Sequence, residues 1–336
     1  MCNASPLAAH PAVRVIIVNY NGGAYLARCL KALAAQTHHD FEAVVVDNGS
    51  TDGSMEAVPT DDARFTSMPL AENTGFATAN NRGAAGAQTP WLALLNPDAF
   101  PEPDWLENLL AESRRLPGVT MIGSTQLLAE CDETILDGAG DNMPAFGYPW
   151  RGGFLKPHSP PWPAGETFAP CAAAALYDRA LFEAVGGFDE RFFCYCEDVD
   201  LAFRMRLMGG RAYQSGKAVV HHVSSGIAGR GSDFGLYHGY RNGLWMTFKC
   251  MPMPLMPFTI AGQVMTLAGV WLRNRLRGRN IPVWRALTDA FRGMVLMRAD
   301  RSRLQAQRKV GVWAIARILV WSPQAYMKRR IVLRQW

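Results

Sequence analysis

Apolar residues in this chain fall into two alternating patterns. Residues 13–18, broken only by Arg14, and residues 41–46, broken only by Glu42, are apolar runs. Each is too short for a helix and rich in β-branched side chains, which predicts buried parallel strands. Between them, residues 24–35 carry Leu26, Leu30 and Leu33 at helical spacing, so the segment reads as a βαβ unit. The pattern then repeats. Residues 54–58 predict a short helix, 65–68 a strand, 78–86 a helix and 91–95 a further buried strand. Residues 104–115, 181–185 and 199–208 predict helices, the last stopped by Gly209 and Gly210, and 218–222 a strand. Residues 137–170, dense in Gly and Pro and without a period, read as loop and short strands. Four strands with intervening helices make a doubly wound α/β sheet. Ligands of such sheets sit beyond the carboxyl ends of the strands. That directs attention to residues 19–21, 47–52 and 96–98.

With 336 residues, 49% hydrophobic and 19% charged, the chain can bury a large core and does not read as disordered. Its formal net charge of +5 is unevenly spread: beyond Asp233 the only acids are Asp289 and Asp300, whereas Arg and Lys recur to the end. A basic, apolar tail of this kind seeks phosphates. Seven cysteines without CxxC or zinc-ligand spacing read as reduced thiols, and no basic-then-apolar leader is seen. The expected location is cytoplasmic.

Five constellations carry chemistry. The strand ending VVVDNGSTDGS places Asp47 where it can accept from a pyrimidine imide, with Asp52 or Ser50 as helix cap; a plain strand, turn and cap is the alternative. In NTGFATANNRG, Gly75, Asn80 and Arg82 can stand beside a diphosphate, although Arg82 also suits a solvated helix face. LLNPDA delivers Asp98 into the same crevice, and a hard Mg²⁺ or Mn²⁺ takes one or two protein carboxylates and completes its shell with phosphate oxygens. GGFDERFF leads into CEDVDL, where Glu197, Asp198 and Asp200 open a helix; a helix dipole alone would favour them, but a Phe-rich approach beside paired acids also suits a general base. VVHH ends a strand in His221 and His222. Alternation points them to opposite faces, so only one can reach a metal, and His221 is the one expected to do so.

Together, and in this order, these motifs resemble family 2 of the inverting glycosyltransferases with the GT-A fold, especially its rhamnosyltransferase-like branch, from Val13 to about Gly243. The resemblance implies a catalytic domain over 1–243, its donor half about 13–100 and its acceptor half about 101–243, followed by a helical extension over 244–336. It implies nucleotide-sugar contacts from Asn19, Asn21, Asp47, Ser50, Gly75, Asn80, Arg82, Asn96 and Arg241. Asp98 would stand as the second acid of the family's metal-binding Asp-x-Asp, whose first acid is here Asn96, and would share the metal with His221. Asp198 would be the catalytic base, with Glu197 and Asp200 on the acceptor side. The donor implied is dTDP-rhamnose and the acceptor a lipid-linked polysaccharide precursor, while mannose and galactofuranose transferases share the architecture.

Residues 251–272 carry no charge, a length that could cross a bilayer, but Pro252, Pro254, Pro257 and Gln263 interrupt it and Arg273, Arg275, Arg277 and Arg279 follow it. A span with that flank inside would strand the catalytic domain outside. Helices lying in the interface on the cytosolic face of the inner membrane are therefore expected, residues 310–321 with Trp313 and Trp321 among them. Packing in the protein or in a homo-oligomer, spanning and re-entrant forms stay open. No nucleic-acid role is expected, because the tail's apolar residues lie in long runs rather than along a polar groove. A nicotinamide oxidoreductase is disfavoured because residues 19–23 lack the glycine-rich turn. An inactive nucleotide-sugar or glycan-binding membrane scaffold is the remaining alternative.

Overall fold

The computed structural model describes residues 10–131, 134–224 and 232–336. The first half is the expected alternation. Strand β1 (Val13–Asn19), helix α1 (Gly23–Ala34), β2 (Phe41–Asp47), β3 (Phe65–Pro69), α2 (Gly75–Ala84) and β4 (Trp91–Leu95) follow one another, with a single 3₁₀ turn at Ser54–Ala57 in place of the expected short helix. β1 pairs in parallel with β2 and β4, and β2 with β3. Arg14, the only charge in β1, lies opposite Glu42 in that register and bonds it at 2.6 Å, so it costs the strand little.

The chain continues through β5 (Ala99–Pro101), α3 (Trp105–Arg115), β6 (Val119–Leu128), β7 (Ile135–Gly138), β8 (Asp141–Asn142), β9 (Trp150–Arg151), β10 (Lys156–Pro157), β11 (Gly165–Thr167) and β12 (Ala174–Asp178). Helices α4 (Arg179–Ala184) and α5 (Glu197–Leu207) precede β13 (Arg211–His222). Two strands the sequence pattern did not reveal hold the middle of the sheet: the order is β10-β7-β6-β12-β4-β1-β2-β3, with β12 antiparallel to both β4 and β6. β13 adds alongside β6 in parallel and reaches β5 and β11 antiparallel. The result is the expected α/β class, a mixed, largely parallel sheet between helices. One buried cluster packs α1 and α3 on one face, and a larger one packs α2, α5 and the C-terminal helices on the other.

Helix α6 (Asp233–Cys250) runs unbroken past residue 243, and Asn242, Thr247 and Lys249 on it are buried. Helix α7 (Met256–Leu276) lies on it through Gln263, whose amide donates to Gly243 O and Thr247 Oγ1. Helices α8 (Val283–Leu296), α9 (Arg298–Gln307), α10 (Val312–Ile318) and α11 (Pro323–Met327) complete the extension, and the last residues return to the sheet, where Glu166 and Arg334 bridge. No helix among the described residues is long and apolar enough to cross a membrane.

Candidate active site

A cavity of about 670 Å³ opens beyond the carboxyl ends of β1, β2 and β4. Asn96 and Asp98 enter it from the turn after β4, Gly75 and Phe76 from the start of α2, Glu197 and Asp198 from the start of α5, and His222 from the end of β13. Asp98 and Asp198, distant in sequence, therefore share one chamber.

Asp98 is buried, and its Oδ1 lies 3.2 Å from His222 Nε2. The other ring nitrogen, Nδ1, lies 2.8 Å from Asp137 Oδ2, which also takes Arg151 Nη1 at 2.5 Å. Burial disfavours a charged ring, but bonds to Asp137 and Asp98 outweigh it and raise His222 to about 9. The expected histidine is not the one found here. The antiparallel register with β5 sets His222 opposite Ala99, next to Asp98, and alternation turns His221 to the other face, where its Nε2 meets Glu102 at 2.7 Å. A carboxylate and an imidazole at 3.2 Å suit a hard divalent ion, and the Asn96 side chain, with Nδ2 3.5 Å from His222 Nε2, keeps its buried Oδ1 without a partner among the described residues. An ion there must displace the Nε2 proton.

At the opposite wall, Asp198 accepts from the Ala172 backbone N–H at 3.2 Å and that of Val199 at 2.8 Å. Burial nevertheless pushes its carboxyl above the ordinary range, more than these bonds and the Arg151 charge lower it. Glu197 beside it is raised well above normal by burial and by Asp198, and its Oε2 has no hydrogen-bond partner among the described residues. Donor atoms of Asp141, Cys171 and Asp198 all lie within 4.8 Å of one another. They could enclose an ion, but burial pushes the Cys171 thiol up to about 12, a poor match for Mg²⁺.

Several expected contacts serve the frame instead. Asn19 is buried and donates to Ser50 Oγ and Ser54 Oγ; Asn21 accepts from Thr51 N–H, and Asp47 from Ser50 N–H. These residues build the turn beside the cavity, whereas Val18, Tyr20, Asn48 and Asn73 line it. Asn80 donates to Phe76 O one turn back, and Arg82 points to solvent, because α2 begins at Gly75, earlier than its pattern suggests. Asn81 is the residue that reaches across, to Phe188 O and Glu190. Arg241 is not at the cavity: it donates to His238 Nδ1 and Phe192 O and lies over the Trp245 ring. Asp200 is fully buried and faces away from the cavity, held by Arg204 and Lys249, so it is a clasp between α5 and α6 and not an acceptor contact. The residues missed, Asp137, Asp141 and Arg151, come from the Gly-rich stretch; the two acids bracketing Gly-Ala-Gly at 138–140 were the only signal.

Residues 14–186 match the model of Glycosyl transferase family 2. An N-acetylglucosaminyl-diphospho-decaprenol L-rhamnosyltransferase from Mycobacterium tuberculosis is 31% identical over 236 residues, 62% of this chain and 75% of the relative. Among solved structures, a mannosyltransferase from Pyrobaculum calidifontis in complex with GDP-Man and Mn²⁺ superposes with a TM-score of 0.55 at 22% identity, covering 91% of this chain and 86% of that one. S. aureus TarS 1-349 gives 0.56 at 15% identity over 88% and 83%. These two likenesses are of fold.

Proposed function

The chain belongs to glycosyl transferase family 2, and on that premise we propose that it transfers rhamnose from dTDP-rhamnose, with inversion, to a hydroxyl of a polyprenyl-diphosphate-linked glycan. The observation that carries this reading is the shared chamber: Asp98 with His222 at one wall and Asp198 at the other, across a cavity roomy enough for a nucleotide sugar's reacting end. Asp198 is the base. It takes the acceptor hydroxyl proton as that oxygen attacks the anomeric carbon and the diphosphate leaves with its electron pair. The two backbone N–H groups fix the carboxylate's aim, and its burial keeps it basic. Asp98 and neutral His222 would hold Mg²⁺ or Mn²⁺, which supplies positive charge for the departing diphosphate. Mn²⁺ in the Pyrobaculum complex and the lipid-linked acceptor in the mycobacterial name support these assignments.

The helical extension gives the acceptor a place to arrive. Phe258, Leu272 and Leu276 on α7, Trp284, Phe291 and Leu296 on α8, and Trp313, 80% exposed, present large apolar side chains among exposed Arg273, Arg275, Arg277, Arg285 and Arg292. That combination suits shallow insertion into an anionic leaflet. Incubation with Mn²⁺, a short-chain polyprenyl-diphospho-N-acetylglucosamine and a panel of nucleotide sugars tests the reading. A disaccharide-lipid product from dTDP-rhamnose is expected; no product from any donor would overturn it.

A further inference from the structure

Asp141, the first residue of β8, lies at the cavity wall, and none of the roles above includes it. Its main chain is fixed from both sides: Asp141 N–H donates to Ala169 O at 2.8 Å, and Thr167 Oγ1 donates to Asp141 O at 2.9 Å. Gly140 before it takes φ +77°, and a Cβ there would come within 2.6 Å of Thr167 Oγ1, so the approach of this backbone requires glycine. The side chain is thus held close to Asp198, the two carboxyls within 4.8 Å of one another. Their surroundings differ. Asp198 accepts two backbone N–H groups, whereas Asp141 Oδ1 is buried without a hydrogen-bond partner among the described residues. Arg151 is the cation facing both, and its short bond goes to Asp137. Cys171 and Glu197 add no positive charge.

We propose that Asp141 is a positioning residue for the base: it and Asp198 hold one negative charge and one proton between them, with the charge on Asp198 and the proton on Asp141. The inference rests on the reading of Asp198 as base. Two buried like charges this close would repel strongly, and the backbone donors decide which oxygen keeps the charge. Burial, with the Asp198 charge next, raises Asp141 to about 7, in keeping with a carboxylic acid that stays neutral in the resting site. Asp198 alone then accepts the acceptor's proton, which leaves the pair neutral, and one proton returns to solvent after product departs.

A carboxyl whose pKa is raised by folding weakens the fold as pH climbs from its unfolded value through its folded one. In EDTA buffer, Asp141→Asn is therefore expected to gain Tm over the wild type by about 3–5 °C more at pH 8 than at pH 5. Asp198→Asn, which removes the neighbouring charge, should also flatten the wild-type loss of Tm over that range, so the test survives if the first variant folds poorly. In transfer assays, Asp141→Asn should lower kcat about tenfold at constant donor KM and lose the inflection near neutral pH. A Tm difference that does not vary with pH, together with an unchanged pH–rate profile, would overturn the role of Asp141. Undiminished transfer by Asp198→Asn would instead remove the base reading itself, leaving the Tm comparison to report on the carboxyl pair.

Discussion

Lys249→Met cuts the clasp that fastens α5, and with it Glu197 and Asp198, to the C-terminal extension. The ammonium is 3% exposed and reaches Asp200 Oδ1 at 2.7 Å and Asp189 Oδ2 at 2.6 Å. Removing one member of a buried ion pair costs about 3–5 kcal/mol, because the remaining charge loses its solvation and its partner together. Here each carboxylate keeps another cation, Arg204 at 2.8 Å on Asp200 and Arg191 at 2.6 Å on Asp189, so the lower end, about 3 kcal/mol, is expected. Methionine keeps the apolar stem beside Phe192, over whose ring the ammonium sits at 4.9 Å, so lost packing adds little. The assay is guanidinium unfolding, read as a fall in midpoint with unchanged slope. A pH series adds a signature. Although burial pushes Asp189 up, the Arg191 bond and the Lys249 charge hold it well below the usual carboxylate range. Its stabilisation is present above the unfolded value and lost as pH falls, and this acid-side slope should shrink in the variant. A loss below about 1 kcal/mol, the scale of an exposed pair, would refute the clasp.

Gly75→Ala should cost roughly 2–4 kcal/mol and most of the transfer activity, since φ is +86° and the new Cβ would meet Phe193 Cδ2 at 2.5 Å and Phe193 O at 2.8 Å; a fully active, stable variant by thermal melt would contradict it. His222→Ala should lower Mn²⁺-dependent transfer on the order of 100-fold, while His221→Ala, which removes an exposed pair with Glu102, leaves it within about twofold. Equal losses in a metal titration would undo that assignment. The full chain should float with vesicles rich in anionic lipid and lose most of that binding in Trp284→Ser/Trp313→Ser; flotation equal to the wild type would count against the membrane face.

The donor half of the sheet was legible because β1, β2 and β4 are buried on both faces and so read as apolar runs, interrupted only by the paired Arg14 and Glu42. β6 was not, because its buried residues include Ser124, Thr125 and Gln126, which are tolerated through remote partners: Trp105 Nε1 donates to Ser124 Oγ, and Thr125 donates to Ser215 O. β12, with the sequence AALYD, lacks the β-branched residues that mark a strand. That Asp98 and Asp198 lie at the cavity could be expected from the sequence, because Asp98 falls in the turn after β4 and Asp198 in the first turn of α5, both at the sheet's rim. The sequence could say that only one of the two histidines faces the cavity but not which: β13 shifts register between Gln214 and Val219, and only its pairing with β5 decides which ring faces Asp98. Asp200 looked like an acceptor contact because its partner, Lys249, lies on another helix 49 residues on. Asp141 was hidden in a stretch with no period, and its closeness to Asp198 arises only when β8 pairs with β9 and bridges Ala169.

The most direct trial of Asp198 as the sugar-transfer base is a paired measurement on Asp198→Asn: transfer to the lipid-linked acceptor, and calorimetric binding of the nucleotide sugar with Mn²⁺. Amide for carboxylate removes the proton acceptor and leaves the Asp98–His222 wall intact. Turnover should fall by roughly 10³-fold or more with donor affinity held within about threefold. Turnover near that of the wild type would contradict it.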